Sequence, residues 1–377
     1  MAIDQAPLKS LTSERRGIPS LDGLRAFSIL AVILGHSAWA TSAHLTGNSL
    51  YRSFANGGSG VAVFFVLSGF LITNILLKEF DRTGDISLRR FYFRRSMRIF
   101  PAFYLYLAVI GILWAVHRIP EEPRSFAISG LYLWSLIPNA HGYFLQHSWS
   151  LSIEEVFYLF WPLLLVTLHS RGFLLRAALG LMLAMPLVRL LFYFLWPALR
   201  GYEYYMVYGW LDTMMAGCLL ALINQKPWFV LGKRRYLTPW TVGPMTVTAF
   251  YLLPELDRLL VSPYKGFTAF LVTPTVRALC IAGMMIYVVD HEHGLAGKLL
   301  NWKWVRRAGL ISYSLYLWQQ IFMSEQLHVL PYGYLYLLAA AIASYLLVEQ
   351  PALKLRSWLE RRPPSAGRIS PRPPVFP

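Results

Sequence analysis

The stretch LRAFSILAVILGHSAWA, residues 24–40, is apolar almost throughout, yet it carries Arg25 near its start and His36 well inside. A run of this kind, extended over 22–44, has the length of about 20 residues that a helix needs to cross a bilayer. It lacks a small-residue cleavage site and is too long for a signal-peptide core, so it reads as a retained span. Eleven residues make about three helical turns, which leaves the two side chains only ~20° apart around the axis and sets His36 ~16 Å deeper than Arg25. Arg25 then stands at the inner entrance, where Asp22, three residues earlier, can pair with it. His36 falls near the midplane. An ionisable group at that depth is a functional hypothesis by default; its bland alternative is a neutral imidazole bonded to a neighbouring helix.

The rest of the chain repeats the pattern. Of 377 residues, 56% are hydrophobic and 14% charged, against about a quarter charged in a soluble domain. Apolar runs fall at 22–44, 59–78, 99–117, 150–168, 173–197, 206–224, 237–254, 267–289, 309–327 and 334–350. The expected fold is therefore all-α: a polytopic membrane protein with about ten transmembrane helices. The net charge of +16 comes from 35 Lys and Arg against 19 Asp and Glu. The basic residues gather before 22, at 78–98, 169–176, 225–235 and 290–307, and after 352, in alternate loops. That is the positive-inside pattern, with both termini cytoplasmic, and it argues for topology and membrane lipids rather than nucleic acid.

Residues 126–138 are apolar but short, and loop parity leaves them no crossing of their own. They read as a re-entrant or interfacial segment, which protein must shield because lipid cannot satisfy bare backbone groups. Cys218 and Cys280 lie in apolar runs and read as buried thiols. The HEH at 291–293 has no further Cys or His ligands nearby, so no metal is expected. Segment 1–20 reads as cytoplasmic, 21–351 as the membrane domain, and 352–377 as a basic, proline-rich cytoplasmic tail.

Three further stretches carry chemistry. In RRFYFRRSMRIFPAFY, residues 89–104, Arg94 and Arg98 stack one turn apart with Arg95 beside them. Guanidiniums there suit lipid headgroups and topology and equally the fork geometry that grips phosphates. In HSWSLSIEEVFYLFWP, residues 147–162, Glu154 and Glu155 point about 100° apart, so one of them faces the bundle core. Ser148, Ser150 and Ser152 add hydroxyls, and Trp149 suits an interfacial belt. Asp212, Arg189, Arg277 and Glu349 read as intramembrane pairings rather than catalysts.

Taken in order, LDGLRAFSILAVILGH, GVAVFFVLSGFLIT, FYFRRSMRIFPAFY, HSWSLSIEEVFYLFWP, SYSLYLWQQ and VEQP resemble the acyltransferase-3 family over about Leu21 to Pro351. These are integral-membrane acyltransferases of about ten core helices, many of which O-acetylate bacterial cell-surface glycans. The resemblance implies that Arg25 and His36 match the arginine–ten residues–histidine pattern of the first helix, whose histidine is regarded as catalytic. It implies that Arg94, Arg95 and Arg98 match the arginine motif thought to hold acyl-CoA. Glu154 matches the glutamate after Trp-Ser-Leu, His147 a histidine before it, and Ser68 with Gly69 the SGF turn of the second helix. Ala62, Val156 and Gln319 depart from a common aspartate, glutamine and histidine. No appended esterase-like domain is apparent, so the chain either completes the reaction or relies on a separate periplasmic partner.

The expected activity is an O-acyltransferase of a bacterial cytoplasmic membrane. It would move an acyl group, with acetyl-CoA the expected donor, to a hydroxyl of a carbohydrate or glycolipid acceptor such as a surface glycan. Such a transfer needs a base for the hydroxyl and stabilisation of the oxyanion. His36 is the expected base, or else carries the acyl group briefly. Glu154 or Asp22 would orient it, with Glu154 favoured because Asp22 has Arg25 to satisfy. The catalytic pair is thus His36 and Glu154, the donor site Arg25, Arg94, Arg95 and Arg98, and the supporting set Asp22, Ser68, His147, Trp149, Ser150, Asp212 and Glu349. The competing class is a proton-coupled transporter of a small solute or acyl group, against which stands the lack of an inverted repeat or paired broken helices.

Overall fold

Inside a bilayer only helices and closed barrels satisfy every backbone group, and this chain takes the helical solution. The computed structural model describes residues 18–37, 48–138, 140–168, 170–260, 268–324, 327 and 332–361, and among them no strand occurs. Six helices are long and apolar enough on their own to cross a membrane; a seventh results if Leu211–Ile223 and Pro227–Tyr236, bent by 111°, count as one. The protein is a multi-pass, all-helical membrane protein. Where it is described, each apolar run of the sequence falls on helix, some of the helices shorter, more charged or broken by a π turn; residues 38–44 of the first run lie outside the described residues.

The helices that build the site are α1 (Pro19–Ser37), α2 (Gly57–Thr83), α3 (Leu88–Ala115), α4 (Pro123–Gly130), α5 (Ser148–Leu168), α6 (Arg171–Leu195), α7 (Leu211–Ile223), α8 (Thr273–Asp290), α9 (Ser312–Phe322), α10 (Gly333–Ser344) and α11 (Gln350–Arg361). α2 is the central helix. It is buried along most of its length and packs on α1, α7 and α8. Its crossing with α7 is backbone on backbone: a Cβ on Gly69 would lie 2.1 Å from the carbonyl oxygen of Met214, and one on Gly217 2.1 Å from that of Val66. Small residues permit such close approach, which is how membrane helices gain packing without a hydrophobic drive. Trp161 Nε1 donates to Thr73 Oγ1 at 2.8 Å and ties α5 to the same helix.

The short apolar stretch at 126–138 is the end of α4 and a run of turns laid against α5. Several of its polar groups are met by protein, although the buried Tyr132 hydroxyl has no hydrogen-bond partner. Ser135 N donates to Ser152 Oγ (3.1 Å), Ser152 Oγ to the Tyr132 carbonyl (2.5 Å), and Trp134 Nε1 to Ser129 Oγ (2.5 Å). Tyr132 accepts a left-handed φ of 56° to make the turn. At the far end, α11 carries the last helix on through Arg361, ten residues into the segment grouped with the tail in the sequence. It packs on the first turns of α3. Residues 362–377 lie outside the described residues.

Candidate active site

α1 begins at Pro19, where proline's fixed φ suits a first turn, and this brings Asp22 and Arg25 onto one face. Arg25 Nη1 donates to Asp22 Oδ1 at 2.9 Å. Both line a cavity of about 290 Å3 between α1, α2, α3, α5 and α9. Arg95 and Arg98, on one face of α3, line it too. Three guanidiniums therefore stand within electrostatic reach of one another. From α5 comes Glu154, which accepts from Ser68 Oγ (2.6 Å) and Tyr158 Oη (3.1 Å) and lies in reach of Arg95 and Arg25. Arg95 also rides over the Tyr158 ring at 5.3 Å. The rest of the wall mixes apolar side chains, among them Val61, Phe64, Leu71, Ile72 and Ile99, with the hydroxyl-bearing Ser150, Ser312, Tyr313 and Tyr316.

The cavity ends at Ser150 and Tyr316, whose hydroxyls are 2.6 Å apart. Tyr316 Oη also donates to the carbonyl of His147 at 2.7 Å. His147 is buried between the rings of Tyr106 (5.2 Å) and Tyr316 (5.5 Å). Its ring nitrogens approach only the backbone of Phe144 and Leu317, without a well-formed hydrogen bond. His36 lies within its electrostatic reach. His36 sits in the last turn of α1, its Nδ1 2.9 Å from the Val32 carbonyl. That contact requires the proton on Nδ1 and leaves Nε2 with a free lone pair.

Several sequence-predicted residues thus meet and others do not. Arg25, Asp22, Arg95, Arg98, Ser68, Ser150 and Glu154 share the cavity. Arg94 does not line it; its guanidinium makes a two-pronged pair with Glu360 of α11 (2.5 and 3.1 Å). Adjacent arginines point about 100° apart, so α3 cannot turn all of them one way. His36 is not on the cavity wall, and no carboxylate among the described residues stands beside it. Glu154 is taken up by Ser68, Tyr158 and the arginines, and Asp22 by Arg25. Trp149 is buried in an aromatic cluster with Phe65, Tyr204, Tyr205 and Trp210. Glu349 accepts from Ser314 and lies in reach of Arg98. Asp212 makes a buried two-pronged pair with Arg189 (2.9 and 2.9 Å), completed by Thr275 Oγ1 at 2.6 Å.

Sequence reasoning missed Tyr158, Tyr313 and Tyr316. Tyr158 had a signal, since it stands one helical turn after Glu154. Tyr316 lay inside a quoted motif but nothing local marked its hydroxyl. Gln319, in the place of a common histidine, is fully buried with neither amide atom hydrogen-bonded to protein.

A membrane-spanning bundle with arginines from two helices turned into its core, and an imidazole near the opposite end, defines the class. Residues 18–349 match the model of the acyltransferase-3 family, described as an acyltransferase domain, and the chain belongs to that family. It is 31% identical over 331 residues to the peptidoglycan O-acetyltransferase OatA of Listeria monocytogenes, covering 81% of this chain and 49% of that one. It is 30% identical over 374 residues to the O-acetyltransferase OatA of Staphylococcus aureus, covering 90% and 58%. The chain thus spans about half the length of the curated relatives it matches. No solved structure matches it.

Proposed function

We propose that this chain is an O-acetyltransferase of a bacterial cytoplasmic membrane that moves an acetyl group from acetyl-CoA to a hydroxyl of a cell-wall glycan. Peptidoglycan is the acceptor suggested by the relatives' names. The observation that carries the reading is the cavity. Three guanidiniums stand in a pocket whose other described lining is apolar or hydroxyl-bearing, with two carboxylates, Asp22 and Glu154. A ligand with an anionic head and a long neutral arm fits such a pocket, and an acyl-CoA has that form.

In this reading Arg25, Arg95 and Arg98 hold donor phosphates at the cytoplasmic side, where the positive-inside bias sets them. The sequence expectation of about ten spans with both termini cytoplasmic is consistent with that placement. Glu154 keeps Arg25 and Arg95 aimed into the cavity. The arm runs toward Ser150 and Tyr316, the hydroxyls available to the thioester carbonyl oxygen. His36 is the base. The acceptor hydroxyl gives its proton to Nε2, its oxygen attacks the carbonyl carbon, and the carbon–sulfur bond breaks. The proton then passes from the imidazolium to the departing thiolate. The Val32 carbonyl takes the place of a carboxylate in fixing the tautomer. His147, between His36 and Tyr316, is the partition at which donor and acceptor meet. A separate partner at the outer face would complete delivery to the finished glycan.

The test is transfer by the purified protein in detergent, with radiolabelled acetyl-CoA and a peptidoglycan oligosaccharide. Ester-linked label in the acceptor, lost in His36→Ala, is the expected result. Absence of both acetyl-CoA binding and label transfer would overturn the reading. A transporter would give no label without a sealed membrane.

A further inference from the structure

Beside the cavity, three arginines of α3 and α11, Arg90, Arg94 and Arg356, converge around one carboxylate, Glu360. Arg94 holds Glu360 through two hydrogen bonds, from Nε and Nη2. Arg356, one helical turn before Glu360, lies in electrostatic reach of Glu360, Arg94 and Arg98, and Arg90 in reach of Glu360. Arg98 lines the cavity, so the cluster is continuous with it. Glu349, the other carboxylate near Arg98, is engaged by Ser314. The Nε of Arg356 is buried and has no hydrogen-bond partner. Guanidiniums this close repel one another, and a buried N–H without an acceptor adds its desolvation cost. Both are relieved by an anion with several oxygens, and the planar fork of arginine matches a phosphate.

The size of the cavity says which anion. At about 290 Å3 it lies at the low end of what drug-sized ligands fill. It takes the arm of an acyl-CoA but leaves the nucleotide outside. The nucleotide must then lie where the arginines emerge, beside Arg98, and that is where Arg94 and Arg356 stand.

We propose that Arg356, together with Arg94, binds the ribose 3′-phosphate at the outer end of the donor, and that Glu360 competes with that phosphate for Arg94. This rests on the acyl-CoA reading above. An anionic lipid headgroup offers the same phosphate chemistry; the continuity of the cluster with the cavity favours the donor.

The experiment compares acetyl-CoA with its 3′-dephospho form, using the full chain in lipid-free detergent. With wild type, removing the phosphate is expected to raise the donor KM about tenfold, the worth of one charged hydrogen-bonded contact. In Arg356→Ala the KM for acetyl-CoA rises by a similar factor and the preference for the phosphorylated donor disappears. Glu360→Gln moves the opposite way, lowering the KM for acetyl-CoA and leaving that for the dephospho donor unchanged. A role in folding alone gives neither the lost preference nor the opposite sign. The proposal fails if Arg356→Ala and Glu360→Gln both keep the wild-type ratio between donors. It fails equally if the effect of Arg356→Ala arises only when anionic lipid is added back, which would make this a headgroup site. Should wild type accept acetyl from neither donor, the acyl-CoA reading itself falls, a result distinct from an unchanged ratio.

Discussion

Ser68 of α2 donates its hydroxyl to the carboxylate of Glu154 on α5 at 2.6 Å, inside the cavity and in reach of Arg25 and Arg95. Two helices thereby hold one carboxylate between two guanidiniums. Glu154→Gln keeps the shape and the hydroxyl contacts but removes the charge that steadies Arg95. The expected outcome is a donor kcat/KM reduced about tenfold, or 1.4 kcal/mol, carried by KM. Steady-state kinetics against acetyl-CoA check it; an effect confined to kcat would place Glu154 in the chemistry instead.

His36 stands outside the cavity, within electrostatic reach of His147. Its removal should therefore separate binding from chemistry. His36→Ala is expected to lose about 10²- to 10⁴-fold in transfer, the range for a general base, while the donor dissociation constant measured by calorimetry stays at the wild-type value. A large loss of donor affinity would contradict the arrangement.

How much of this could be read from the chain follows from the range of the forces involved. Helical spacing fixes relations within about one turn, so the Asp22–Arg25 pair was legible, as was the stack of helices implied by apolar runs and basic loops. Spacing does not say which of several neighbouring arginines faces inward. Arg94 found its partner at Glu360, 266 residues away, on a helix whose last turns the composition assigned to a tail. Nor does it give depth across two helices. His36 and Glu154 both belong to plausible catalytic motifs, yet the first is turned to the Val32 carbonyl and the second to Ser68 and Tyr158. The role of Tyr316 depends on the packing of α9 against α5 that sets Ser150 opposite it, which only the assembled bundle defines.

The loop before α4 holds a pH-sensitive anchor. Glu121 accepts from Ser125 Oγ (2.8 Å) and the Phe144 N–H (2.9 Å). Partial burial pushes its carboxyl above the ordinary value of 4.5, against the pull of those bonds. A carboxyl raised on folding binds its proton more tightly in the folded state. Its contribution is therefore full below the unfolded pKa and is lost as pH rises through the higher folded value. Glu121→Gln removes this titration. Thermal melting in detergent from about pH 4 to 7 should show wild type losing stability relative to the variant as pH rises, and a constant difference would refute the anchor.

The pair of Arg189 and Asp212 is the most deeply buried charge contact among the described residues, with side chains 1% and 0% exposed. It joins α6 to α7, and Thr275 of α8 completes it. Neither residue lines the cavity, so the pair is expected to act on stability. Removing one partner leaves an uncompensated charge in a low-dielectric core, a loss of about 3–5 kcal/mol, whereas replacing both by apolar groups of similar volume costs far less. Asp212→Asn is accordingly expected to lower the melting temperature sharply, and Arg189→Met with Asp212→Leu to recover most of it. The donor KM of whatever fraction stays folded should be unchanged in both. If the double variant melts no higher than the single one, the ion pair does more than cancel charge, and the role of Thr275 as a third member of the network becomes the next quantity to measure.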